Sequence, residues 1–173
     1  MKKFLILLLI IGIAPLIGGL YGILNDQLTY TISPEYYTKF KFYQFGLMSS
    51  GDEAIFPNPR VEASKVGFMA TWWMGLPIGI ILGLVGLIHK SYKQMLRITL
   101  TAIVVTVIVA FATGLLGLAY GKLYLVGAGV DWWFPDNLID KNNFIVVGSM
   151  HNFSYLGGLT GLIAGIIYSV RQK

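Results

Sequence analysis

Phe144–Val170 reads FIVVGSMHNFSYLGGLTGLIAGIIYSV. An α-helix needs roughly 20 apolar residues to cross a bilayer, and this segment is long enough. Its first third nevertheless carries Ser149, His151, Asn152 and Ser154. Polar groups at membrane depth are costly unless they face protein or water. The segment therefore predicts both a membrane helix and the place on it where function should be sought.

The composition agrees with that reading. Of 173 residues, 55% are hydrophobic and only 12% are charged, whereas a soluble domain carries about a quarter charged residues. The 21 glycines follow no collagen repeat, and small residues let membrane helices approach closely. The length allows one domain. No cysteine is present, which excludes disulfides, thiol redox chemistry and thiolate metal sites.

Three further segments have the character of spans. After Met1-Lys2-Lys3, residues 4–24 form an apolar run, for which a cleaved signal peptide is the competing reading; its length and the lack of a clear Ala-x-Ala site favour a retained helix. Residues 66–88 form the second helix and 98–120 the third, with 144–170 as the fourth. Small residues recur every four positions: Ala14, Gly18 and Gly22; Gly75, Gly79 and Gly83; Gly157, Gly161 and Gly165. Such strips suit close helix contact, within the chain or with another copy or another membrane protein. LYG at Leu20–Gly22 followed by FPNP is echoed by AYG at Ala119–Gly121 followed by FPDN. The ordinary enrichment of Gly, Pro and aromatics at membrane boundaries accounts for this better than a duplication does.

Charge sets the orientation. The termini and the short middle loop hold Lys2, Lys3, Lys90, Lys93, Arg97, Arg171 and Lys173 and no acid, while all 8 acidic residues fall in the long segments 25–65 and 121–143. The positive-inside rule puts both termini in the cytoplasm and the long segments outside. The +5 net charge is thus a membrane signature and not a nucleic-acid one. The expected fold is an all-α membrane protein, a four-transmembrane-helix bundle with cytoplasmic termini and two structured extracytoplasmic loops. Membrane lipid is its expected surrounding.

The first long loop should contain a short helix. Ser33 can cap it, Pro34 can open it, and Glu35 sits at its positive end. Tyr36, Phe40, Tyr43 and Leu47 would make one apolar face; a strand over 39–45 is the runner-up. Asn58 and Pro59 offer a cap and opening for the second span.

The candidate site is His151 with Asn152 and Tyr155, joined by Glu35 and Glu62 from the first loop. His151 and Tyr155 share one helical face. A neutral imidazole there can donate and accept one hydrogen bond, or ligate a metal. Glu62, just before the second span, could face His151 across the bundle. Each residue also has a plainer reading: a packing hydrogen bond for His151, a helix-terminus charge for Glu35. His89 lies at the opposite membrane face and cannot join the set. The outer acids have no EF-hand spacing, and Walker, HExxH and CxxCH signatures are absent.

YTISPEYYTKFKFYQFG, Tyr30–Gly46, resembles the SPEYF-type outer-loop segment of uncharacterised bacterial multi-span membrane proteins, with Tyr37 at the usual Phe position. The resemblance implies a bacterial envelope setting, in the cytoplasmic (inner) membrane, and a role for Ser33, Pro34, Glu35 and Tyr36. It implies no activity. Three functions remain open on the sequence: an extracytoplasmic-side binding module for a small ligand, lipid headgroup, cation or partner protein; an enzyme using His151 as acid/base; and an assembly subunit of a membrane complex. No cofactor is specified.

Overall fold

The structure, a computed structural model, describes all 173 residues. It is an all-α bundle with four helices long and apolar enough to cross a membrane. They are α1 (Lys2–Ile32), α3 (Pro59–Gly86), α4 (Tyr92–Ala128) and α5 (Lys141–Arg171). A fifth, shorter helix, α2, covers residues 34–44. Residues 45–58 and 129–140 complete a cap over one end of the bundle.

The helices run further than the apolar segments do. α1 continues past Leu24 through Asn25-Asp26-Gln27 to Ile32. Hydropathy reports the surroundings of a segment, whereas helix continuity depends on backbone hydrogen bonds, which those polar residues do not interrupt. Ser33 ends the helix with an extended backbone, φ −139° and ψ 90°, the conformation that a following proline imposes. Ser33 then caps α2, accepting a hydrogen bond from the Tyr36 N–H at 3.3 Å, with Pro34 at the first helical position. At α3, Pro59 opens the helix as expected, but the Asn58 side chain makes no capping bond. Ser91 caps α4 and Asp140 caps α5.

α2 is helical, not a strand, and its centre is a π-turn at Tyr37–Lys41. A π-turn closes hydrogen bonds five residues apart. It therefore points Tyr37 and Phe42 the same way, and both are fully buried. With Tyr36, Ala63, Val66, Phe144 and Val147 they form the core of the capped end. The regular three-and-four spacing expected for this helix missed Phe42 for that reason.

α1 packs antiparallel on α3, and α4 antiparallel on α5; contacts between the two hairpins are far sparser. Each hairpin closes through small residues. Ala14, Gly18 and Gly22 of α1 face Gly67, Thr71, Gly75 and Gly79 of α3. Gly157, Gly161 and Gly165 of α5 face Ala110, Thr106 and Ala102 of α4. Hydroxyls bind backbone across both seams: Thr71 Oγ1 to the Gly18 carbonyl at 2.8 Å, Thr106 Oγ1 to Gly161 at 3.1 Å and Ser149 Oγ to Gly117 at 2.7 Å. The outward faces are aliphatic; Leu5, Leu8, Leu16, Leu20, Ile108, Leu116, Leu159 and Ile163 are all exposed.

At the short-loop end, Lys3 Nζ donates to the Leu87 carbonyl at 3.0 Å, and buried His89 lies 3.1 Å from Ser169 Oγ. These contacts bring the termini of α1 and α5 against the 87–91 loop.

Candidate functional site: a polar chamber between the two hairpins

The sparse packing between the hairpins leaves a cavity of about 60 Å³. Its lower walls are apolar or small, including Ala14, Ile17, Ile78, Val107 and Gly158. Toward the cap it becomes polar, lined by Tyr21, Asn25 and Asp26 of α1 and His151, Ser154 and Tyr155 of α5. The spacing explains the clustering: Tyr21/Asn25 and His151/Tyr155 are i,i+4 pairs, so each pair shares a helix face.

Four of these groups have an atom that is buried yet makes no well-formed hydrogen bond in the protein: Tyr21 OH, Asn25 Oδ1, Asp26 Oδ2 and Ser154 Oγ, although Tyr21 faces Ser154 and Tyr37 approaches Asp26. Asp26 is 2% exposed and Asn25 3%. Native structures pair nearly all buried polar atoms, because an unpaired one costs about 1–3 kcal/mol. Four around one cavity are best satisfied by something inside it.

The roof of the chamber is better satisfied. Tyr37 OH lies 2.6 Å from Thr29 Oγ1, which in turn donates to the Asn25 carbonyl at 3.0 Å. On its other side the phenol is 3.5 Å from His151 Nε2. The His151 ring stacks on Tyr36, with centroids 5.2 Å apart and planes 11° from parallel. Burial pushes both tyrosine hydroxyls well above their ordinary range, so they stay protonated donors. Tyr37→Phe should lower stability by about 1–3 kcal/mol, since Thr29 keeps its backbone acceptor but buried His151 loses its phenol partner. Thermal unfolding of the purified variant checks this.

Lys41 closes the roof. It is buried, and its Nζ lies 5.2 Å from the Phe45 ring centroid and 5.8 Å from those of Tyr36 and Phe40. Only Lys39–Glu35 and Lys65–Glu62 are ion-paired, so Lys41 has no carboxylate in contact. Burial lowers its pKa, and the Asp26 charge partly offsets that.

Of the residues predicted from sequence, His151 and Tyr155 line this chamber. Asn152 is exposed on another face of α5. Glu62 pairs with Lys65 at 2.8 Å in the first turn of α3. Glu35 lies in the cap, where it pairs with buried Lys39 and accepts hydrogen bonds from the N–H groups of Ile139 and Asp140. No carboxylate lies within 4.0 Å of His151, and no group of three His, Cys, Asp or Glu side chains converges anywhere on the chain.

Sequence reasoning missed Tyr21, Asn25, Asp26 and Lys41. Asn25 and Asp26 follow the first apolar run directly, and ending the helix at Leu24 placed them in a loop. The usable signal was the helix stop at Ser33-Pro34, which carries α1 two turns further. Lys41 was hidden by the π-turn.

Comparison with known proteins finds no matching family model, no similar curated protein and no similar solved structure.

Proposed function

We propose that this is a multi-pass protein of a bacterial cytoplasmic membrane, and that its capped end, facing away from the cytoplasm, binds a small polar ligand in the chamber between the hairpins. The observation that carries the proposal is the set of four unpartnered buried polar atoms around one cavity. The exposed aliphatic faces and the length of the helices support embedding in lipid. The basic, acid-free short-loop end supports cytoplasmic termini. The SPEYF-like segment, which supplies Tyr36 to the roof, supports the bacterial setting. Acid–base catalysis is supported less well, because a general base needs an orienting partner and His151 has tyrosines beside it instead of a carboxylate.

Two measurements test the proposal. The chain is free of cysteine, so single replacements report topology cleanly. In intact spheroplasts an impermeant maleimide should label Asp52→Cys and spare Lys90→Cys; the opposite pattern would overturn the orientation. For binding, a thermal-shift screen of ions and small polar solutes should find at least one that stabilises the full-length protein by several degrees. Gly158→Leu, which fills the chamber against only the mobile end of Met74, should lose that response. A screen in which nothing separates the two proteins would end the binding proposal.

A further inference from the structure

The chemistry of the chamber narrows the ligand further, resting on the binding proposal above. All four unpartnered atoms are oxygens. Asn25 Nδ2 points to Asp26 Oδ1 at 3.4 Å, which leaves Asn25 Oδ1 and Asp26 Oδ2 as the free acceptors. The Tyr21 and Ser154 hydroxyls can each present lone pairs. An all-oxygen set suits a hard cation, whereas soft and borderline metals want thiolate or several imidazoles. The chain has no thiol, and His151 is the one imidazole at the chamber.

Charge and size then decide between hard cations. Asp26 is the one carboxylate lining the chamber, and calcium sites use six to eight oxygens with several carboxylates among them. Lys41 adds positive charge nearby, which penalises a divalent ion twice as heavily as a monovalent one. One water needs about 10–15 Å³ of such a cavity, so about 60 Å³ admits one small ion with a few waters. Drug-sized ligands need about 300–1,000 Å³, which excludes a lipid headgroup here.

We infer that the chamber takes one monovalent metal cation, coordinated by Asp26, Asn25, Tyr21 and Ser154 and completed by water, and that Lys41 opposes it from the roof. Occupancy then depends on the charges around the site. The titratable groups facing the site are Tyr21 and Asp26 of α1, Lys41, Tyr36 and Tyr37 of α2, and His151 and Tyr155 of α5; α3 and α4 contribute no titratable side chain to its lining. Burial already lowers the Lys41 pKa. Removing the Lys41 charge by substitution leaves Asp26 unopposed for the ion, so affinity rises.

The experiment uses the full-length protein in detergent. Thermal unfolding is followed in sodium or potassium chloride against choline chloride at equal ionic strength, with a calcium chloride arm and equilibrium binding of radioactive sodium. Sodium or potassium should raise the midpoint by several degrees in a saturable way, choline should not, and about one ion should bind per chain. At fixed pH, Lys41→Met should tighten the apparent affinity several-fold. Asp26→Asn should abolish the saturable shift. Asn25→Ala, one residue away, should weaken it at least about fivefold and serves if Asp26→Asn does not fold.

An equal response to choline, saturation by calcium at lower concentration than by sodium, or an unchanged response in Asp26→Asn would each overturn the inference. A neutral solute that separates wild type from Gly158→Leu while the cations do not would leave the binding site standing and remove the cation. Failure of both would remove both.

Discussion

Gly22→Leu should give no folded protein, and Gly22→Ala a protein with a sharply lowered unfolding midpoint. A β-carbon at Gly22 would fall on the carbonyl of Gly67 and on Thr71 Oγ1, and one at Gly67 would fall on the carbonyl of Gly22. The obstruction is largely backbone against backbone, so no rotamer change relieves it. The helices would have to part along their length, and the Thr71 bond to the Gly18 carbonyl would break with them. Overpacking in a core costs about 1–3 kcal/mol where side chains can adjust; here the loss should exceed about 3 kcal/mol, a large share of a typical total stability of about 5–15 kcal/mol. Gly12 provides the control. A β-carbon there meets nothing within 4 Å, so Gly12→Leu should unfold with wild type in the same detergent titration.

The second large effect is expected at Glu35. This carboxylate joins α2 to the lead-in of α5 by pairing with Lys39 and accepting the N–H groups of Ile139, at 3.0 Å, and Asp140, at 2.6 Å. Lys39 also donates to the Asn137 carbonyl at 2.7 Å, and its side chain is 3% exposed. Glu35→Ala leaves that ammonium buried with one neutral acceptor. Removing one member of a buried pair costs about 3–5 kcal/mol, and about 3 kcal/mol is expected here because Glu35 itself keeps some contact with water. Burial pushes the Glu35 carboxyl up, but the hydrogen bonds from Lys39, Ile139 and Asp140 outweigh it and hold the pKa below the ordinary value of 4.5. A lowered folded-state pKa stabilises the protein above the unfolded value and loses that stabilisation as pH falls through the folded one. Wild type should therefore lose stability below about pH 4.5, and Glu35→Ala should show a flatter acid limb. Parallel acid limbs would mean that the carboxylate contributes nothing specific.

The four long apolar helices were legible because each contains a run of about 20 apolar residues, the length that crossing a bilayer would require. The small-residue strips were legible too, since close approach requires them at every fourth position, and those at Ala14–Gly22, Gly75–Gly83 and Gly157–Gly165 all lie in the hairpin seams. The candidate site was legible only on α5. His151 and Tyr155 stood out as polar groups inside an apolar run, and both line the chamber. Asp26 did not stand out, because it follows an apolar run instead of interrupting one. Glu62 was placed toward His151 from its position just before the second span and Glu35 from the geometry that Pro34 fixes, and neither lines the chamber. Which carboxylate meets which helix face depends on where α1 stops and how α2 turns, and the π-turn at Tyr37–Lys41 leaves no regular period to read.

The two hairpins differ from the seam between them in mechanical terms. Each is locked by glycine-to-backbone contact, while the plane dividing them is thin and partly empty. Compliance is therefore concentrated in that plane. An occupant bridging α1 and α5 would act as a rivet, stiffening the molecule where it is softest, and its departure would let the halves shear without disturbing either one.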